Sequence, residues 1–159
     1  IRVVVTAVLL VIMEVIKIIG KSYDDNFAVY NLISYICRKD KTLDGLVGGF
    51  GISNISVNST IEEFNTVKKV FNKMGGKQAH HIVISFGEFY DDSDAFLKSY
   101  KIAEYFRTSF QVCFAVHRDK MNTHSHFVVN SVSFTDGRKL DFGYSEQEKF
   151  KNFVKQIQD

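Results

Sequence analysis

The sequence predicts an α+β fold: a mostly antiparallel central sheet with helices packed on one face and a metal site on the other. Three observations carry this. Segments with helical spacing of apolar residues interleave with strand-like segments and hairpins. Strand alternation in the second half puts bulky apolar residues on one face and histidines with small residues on the other. Composition is that of a single globular domain: 159 residues, 45% hydrophobic, 24% charged, with no proline and no low-complexity run.

Each element has its own signal. Residues 3–13 (VVVTAVLLVIM) are almost wholly apolar but too short to span a bilayer, so they read as one or two buried strands. The chain opens on Ile1, and a native start at Met13 would make residues 1–12 an extension to a domain of residues 13–159. Residues 14–19 (EVIKII) read as a strand stopped by Gly20. Asp24, Asp25 and Asn26 offer N-caps for a helix to Arg38, with Phe27, Tyr30, Ile33 and Cys37 as its apolar stripe. Residues 46–55 form a glycine-rich strand running into a loop. Ser59 and Glu62 make a capping box for a helix to about Met74, closed by Gly75-Gly76. HHIVISF (80–86) is a strand, and Ser93 caps a helix over 94–107. Strands follow over 110–117 and 126–134. A Thr135-Asp136-Gly137-Arg138 turn leads to a short strand, 139–142. Ser145 and Glu148 cap a last amphipathic helix carrying Phe150, Phe153, Val154 and Ile157.

Alternation sorts the strand residues. Val112, Phe114 and Val116 share one face; Cys113, Ala115 and His117 share the other. His124, His126, Val128 and Asn130 line up together, and in the 80–86 strand His81, Val83 and Ser85 join the histidine face.

The run HRDKMNTHSH carries the chemistry. His124 and His126 at i, i+2 point the same way on a strand, and His117 ends the strand before. Three converging imidazoles make a metal site open on one side, which suits Lewis-acid chemistry. Imidazole nitrogen favours Mn²⁺, Zn²⁺, Ni²⁺ or Co²⁺ over Mg²⁺. Asp119 can orient a ligand or accept a proton, and Glu88 is a further candidate ligand. Tyr35, in SYICRKDKT, is followed by Arg38, Lys39 and Lys41, cations that would stabilise a forming phenolate; Tyr30 and Tyr144 are its rivals. The net charge of +2 announces no polyanion partner, so nucleic-acid contacts must come from local clusters. Cys37 and Cys113 read as reduced thiols of a cytosolic protein.

HRDKMNTHSHFVVNSVSF resembles the third motif of the conjugative and mobilisation relaxases: His-x-Asp, four residues, His-x-His, then a hydrophobic strand. HHIVISF and SYICRKDKT resemble the two segments that precede it, the latter carrying the nucleophilic tyrosine. The order holds from Met13 to Asp159, and Ser125 departs from the family's hydrophobic centre.

The resemblance implies a site- and strand-specific DNA endonuclease acting at a transfer origin of a plasmid or mobile element. Tyr35 would attack the scissile phosphate and form a 5′-phosphotyrosine, with His117, His124 and His126 holding a divalent ion and Asp119 assisting. Mn²⁺ or Mg²⁺ is the expected working ion, with Zn²⁺, Ni²⁺ or Co²⁺ able to bind. Arg38, Lys39, Lys41, Ser85, Arg118, Lys120 and Asn130 are the expected DNA contacts, with Arg138 and Lys139 as further phosphate ligands. Single-stranded or hairpin DNA, relaxosome accessory proteins, a bacterial cytoplasmic location and no membrane insertion complete the expectation. A rolling-circle initiator, a single-strand transposase, a small-phosphoester hydrolase and a non-catalytic metal or nucleic-acid module are the competing readings.

Overall fold

The computed structural model describes residues 15–118 and 122–157. In chain order the elements are β1 (Val15–Ile18), α1 (Ala28–Ile36), β2 (Val47–Phe50), α2 (Val57–Val70), β3 (Ala79–Glu88), α3 (Asp92–Ala103), β4 (Val112–His117), β5 (Asn122–Asn130) and α4 (Tyr144–Ile157). The five strands form one sheet in the order β1-β3-β5-β4-β2, and every neighbouring pair is antiparallel. The α+β class and antiparallel sheet are therefore as the sequence predicts. The apolar run 3–13 and Met13 lie outside the described residues.

Alternation along the strands builds two cores. Ile82, Ile84, Phe86, Val112, Phe114, Val116, Phe127 and Val129 face α3 and α4, which contribute Ala95, Ile102, Ala103, Phe150 and Val154. The opposite face carries Ala79, Cys113, Ala115 and Val128, and against it lie Val29, Leu32, Ile33 and Ile36 of α1 with Ile61 and Phe64 of α2. The sequence reading placed all helices on one face; here two of the four dock on the histidine face. The physical reason is size. Ala79, Cys113 and Ala115 leave room for helices to approach, and a row of small residues is as good a seat for a helix as for solvent.

Several local details differ from the sequence reading. The buried stripe of α1 is Ala28, Val29, Leu32, Ile33 and Ile36, while Phe27 and Tyr30 are exposed. Both stripes have helical spacing, and only tertiary docking chooses between them. α2 starts at Val57, because Ser56 accepts from the Ser59 amide and the Ser59 hydroxyl bonds back to the Ser56 amide. α3 is capped by Asp91, whose carboxylate accepts from the Ser93 and Asp94 amides at 2.9 and 3.0 Å. β5 begins at Asn122 and ends at Asn130, so both His124 and His126 lie within it. The strand expected over 139–142 reduces to one bridge, Val132 to Lys139. The intervening turn needs glycine: Gly137 has φ +74°, and a Cβ there would stand 2.4 Å from the Phe71 ring.

Asn130 anchors a buried polar network at the end of β5 away from the histidines. Its side-chain oxygen accepts from Lys68 Nζ, and its amide donates to the Phe64 carbonyl (3.1 Å) and to Gln111 Oε1 (2.8 Å). Lys68 is fully buried, with its ammonium over the Phe64 ring. Burial, aided by the nearby Lys139, pushes its pKa down from the usual 10.5 to about 7. Between those values the unfolded chain binds the proton and the folded chain does not, so this group makes stability rise with pH. Urea denaturation at pH 7.5 and 9.5 should show the parent gaining on Lys68→Met by up to about 1.4 kcal/mol per pH unit. A pH-independent difference between the two proteins would overturn this account of Lys68.

Candidate metal centre and nucleophile

Strand register brings the histidines together. His117, the last residue of β4, pairs with His124 on β5, and Ala115 pairs with His126. Directly paired residues share a face, as do residues two apart along a strand, so the three rings project from one face of the ladder. Their ring centroids are 4.1 Å (117–126), 5.2 Å (124–126) and 5.3 Å (117–124) apart. Each offers a ligand nitrogen, and these atoms lie within 4.8 Å of one another. His117 and His126 are buried while His124 is half-exposed, so the cluster is walled on one side and approachable from the other.

Backbone carbonyls set the ring protons. His117 Nε2 lies 2.8 Å from the Ile36 carbonyl, which can only accept; the proton sits on Nε2 and the lone pair on Nδ1. His124 Nδ1 lies 3.1 Å from the Asn122 carbonyl, which puts its lone pair on Nε2. Neutral imidazoles held this way fit a divalent transition-type ion such as Mn²⁺ or Zn²⁺. Ser125, between the ligands, points into the opposite core and hydrogen-bonds Ser99 on α3 at 2.7 Å, so its hydroxyl is satisfied away from the site.

The His117–Ile36 bond also fixes α1. The carbonyl it engages belongs to the residue after Tyr35, and one turn later the Arg118 amide donates to the Lys41 carbonyl at 3.0 Å. Tyr35 thus stands at the end of α1, 43% exposed, with its ring 5.7 Å from that of His126 and 6.2 Å from that of His117. Neither rival tyrosine is so placed. Tyr30 is exposed on α1 and does not line the cleft beside the cluster, and Tyr144 begins α4, which packs on the other face.

That cleft, about 740 Å³, is lined by Lys21, Tyr23, Asn31, Tyr35, His81 and His126 among others. His81 is buried and bonds through Nε2 to His126 Nδ1 at 2.8 Å. Burial pushes its pKa down to about 4, helped by Lys21 and His117, so it is neutral at pH 7. Sequence alternation placed His81 on this face but gave it no role. Lys21, Tyr23 and Asn31 carried no signal: Tyr23, for one, joins the site through its bond to His81, 58 residues on.

The expected DNA contacts divide. Arg38 and Lys39 are exposed a few residues after Tyr35, with Arg38 ion-paired to Asp40 at 2.7 Å. Lys41 is half-buried in the same segment, and Arg118 is exposed and paired with Asp92. Ser85 is half-buried opposite His124 in the ladder, on the cluster's face. Asn130 is not brought to the site: it is fully buried at the other end of β5, held by Lys68 and Gln111. Lys139, tied to the carbonyls of Gly75 and Lys77, and Arg138, paired with Asp136, also lie with that end of the chain. Glu88 pairs with Asn122 at the tip of the hairpin and is exposed. Asp119 and Lys120 lie outside the described residues. Among the described residues no helix is long and apolar enough to cross a membrane.

An antiparallel sheet presents a histidine triad and a helix holds an exposed tyrosine beside it, an arrangement suited to phosphodiester chemistry. The sequence comparisons make this specific. Residues 35–159 match the family described as relaxase, MobA/VirD2-like, nuclease domain, and the chain belongs to that family. The match begins at Tyr35. Protein rlx of Staphylococcus aureus is 31% identical over 108 residues, covering 67% of this chain and 33% of that protein. The group II intron-interrupted relaxase LtrB of Lactococcus lactis subsp. cremoris is 26% identical over 165 residues, covering 85% of this chain and 28% of that protein. The chain therefore spans about a third or less of the length of these relatives.

Burial distinguishes the ligands as probes. Alanine at the half-exposed His124 should leave the fold intact, whereas His126 is 6% exposed. His124→Ala should lose Mn²⁺ binding in calorimetry while its melting temperature stays within about 4 °C of the parent. His126→Ala should lose binding and also cost about 1–3 kcal/mol of stability, by leaving buried partners unsatisfied. Parental Mn²⁺ affinity in His124→Ala would remove that residue from the ligand set.

Proposed function

We propose that this domain nicks one strand of single-stranded or hairpin DNA at a specific transfer origin of a plasmid or mobile element, through a covalent 5′-phosphotyrosine on Tyr35, and so initiates conjugative transfer. The observation that carries this is the position of Tyr35, exposed at the end of a fixed helix with its ring 5.7 Å from that of His126. His117, His124 and His126 would hold a divalent ion, with Mn²⁺ or Mg²⁺ as the working ion, which would supply Lewis-acid stabilisation of charge building on the phosphate.

The chain's own groups do the rest. The Tyr35 hydroxyl gives up its proton, for which Asp119, two residues beyond His117, is the assigned acceptor. The phenolate oxygen attacks phosphorus, the P–O3′ bond breaks, and its electron pair leaves on the 3′ oxygen, which takes a proton to become a free hydroxyl. The new P–O bond is the 5′-phosphotyrosine. A 3′-hydroxyl attacking that bond reverses the step and reseals the strand.

Arg38, Lys39, Lys41, Arg118 and Lys120 are the proposed ligands for backbone phosphates, Lys21 adds a cation in the cleft, and Ser85 supplies a hydroxyl on the histidine face. In this reading the domain, residues 13–159, works in the bacterial cytoplasm alongside relaxosome accessory proteins.

The test is incubation with supercoiled plasmid carrying the cognate origin and Mn²⁺, followed by detergent denaturation. The parent and Tyr144→Phe should both leave a protein–DNA adduct. Tyr35→Phe should leave none and should fall in nicking by at least about 1,000-fold, while binding Mn²⁺ normally. An adduct that persists in Tyr35→Phe and vanishes in Tyr144→Phe would move the nucleophile to α4, as in a single-strand transposase. Nicking without any adduct would point to a hydrolase.

A further inference from the structure

Behind the triad lies a chain of hydrogen bonds that no ligand role accounts for. Tyr23 Oη is 3.0 Å from His81 Nδ1, and His81 Nε2 is 2.8 Å from His126 Nδ1. The two imidazoles stack, with centroids 5.1 Å apart and planes inclined by 28°. Both are 6% exposed. Their strands are neighbours, but His81 and His126 are not directly paired: His81 sits opposite Val128, and His126 opposite Val83. The contact is diagonal across the ladder and needs two specific rotamers.

We propose that His81 and Tyr23 are positioning residues, a buried relay that holds His126 in the tautomer able to bind a divalent ion. The inference rests on the histidine triad being a metal centre, as proposed above.

Counting donors gives the mechanism. A neutral imidazole carries one N–H and one lone pair, so the relay can run in two directions. If the Tyr23 hydroxyl donates to His81 Nδ1, then His81 Nε2–H donates to His126 Nδ1. The His126 proton is then on Nε2, and that nitrogen has no lone pair to give. If His126 Nδ1–H donates to His81 Nε2, then His81 Nδ1–H donates to Tyr23 Oη, and the His126 lone pair is on Nε2. Only the second direction serves a metal. It also releases the Tyr23 O–H toward the cleft that Tyr35 shares.

The backbone of Tyr23 carries an independent mark. Its φ is +45°, a left-handed conformation uncommon for a tyrosine and strained for any side chain with a Cβ. Surrounding contacts hold it there: the Tyr23 carbonyl accepts from the Gln78 amide at 2.8 Å, and the Lys77 ammonium lies 5.8 Å from the ring centroid. Gln78 immediately precedes β3, the strand that carries His81. The strained residue is thus locked to the strand whose histidine it contacts.

The experiment uses the whole chain labelled with ¹⁵N-histidine. Long-range ¹H–¹⁵N spectra, recorded without metal and with Zn²⁺, report which nitrogen of each ring carries the proton. Calorimetry with Mn²⁺ reports affinity. The parent should show His126 protonated on Nδ1 in both states. His81→Ala should lose that preference and weaken Mn²⁺ binding about 10–100-fold. His81→Gln, whose side-chain oxygen can accept from His126 Nδ1–H, should recover most of both. Tyr23→Phe, which removes one oxygen and preserves the ring, should weaken binding severalfold and keeps the test open should His81→Ala fail to fold.

Parental affinity and tautomer in His81→Ala, or a His81→Gln protein no better than His81→Ala, would overturn the relay and leave His81 a packing residue. A parent that binds neither ion overturns the metal reading instead, and the metal-free tautomer of His126 still decides the relay.

Discussion

The hydrogen bond from His117 Nε2 to the Ile36 carbonyl does two jobs at once, and the site depends on both. It is 2.8 Å long, buried, and joins residues 81 positions apart. On the histidine side it settles which nitrogen carries the lone pair. On the helix side it occupies a carbonyl in the last turn of α1, one of the four that a helix end leaves without an internal partner. The contact that readies the ligand is therefore the contact that places the turn carrying Tyr35. Ile33 and Ile36 packed on Ala115 set the height of the helix over the sheet, and the Arg118–Lys41 backbone bond stops the following loop from swinging. A larger residue at 115 would lift α1 and break the geometry at its far end.

Division of the sheet into two faces makes this arrangement affordable in packing terms. The face toward α3 and α4 holds most of the large apolar residues and a continuous aromatic cluster that includes Phe106, Phe142 and Phe150. Stability is concentrated there. The other face can then give its surface to small residues, to polar groups and to rings whose orientation matters more than their area. Each polar group it buries is answered: His117 by Ile36, His126 by His81, Asn130 by Gln111 and Phe64.

How much of this was legible depended on the range of the interaction involved. The triad was readable because period-two alternation is a local property, and His124, His126 and His117 sit on two strands joined by a short connection. Tyr35, one of seven tyrosines, was singled out by the cations that follow it and by the resemblance of its surrounding motif. The docking face of α1 was misassigned: Phe27 and Tyr30 carry larger side chains than Ala28 and Val29, yet the smaller pair is the one buried. Asn130 was placed on the histidine face correctly, but alternation says nothing about distance along a strand, and two more rungs carry it from the cluster into the core. Tyr23 and Lys21 come from a loop with no periodicity, and only the folded chain brings them to β3.

Preorganisation and exposure are shared out unequally around the centre, and the chemistry requires that inequality. Two of the proposed ligand rings, His117 and His126, are buried and hydrogen-bonded, so binding an ion would cost them little reordering. The groups proposed to meet a polymer are on the surface: Tyr35 is 43% exposed, and Arg38 and Arg118 pair with the partly exposed carboxylates Asp40 and Asp92. Such surface pairs contribute little, so a phosphate can replace the carboxylate without a large penalty, whereas a buried pair in the same place would hold the cations back. A nucleophile buried as deeply as His117 could not reach a phosphodiester, and a ligand as exposed as Tyr35 would lose its tautomer to water. The short span from Tyr35 to Ile36, one residue on the surface and the next buried against the sheet, is where the two requirements meet.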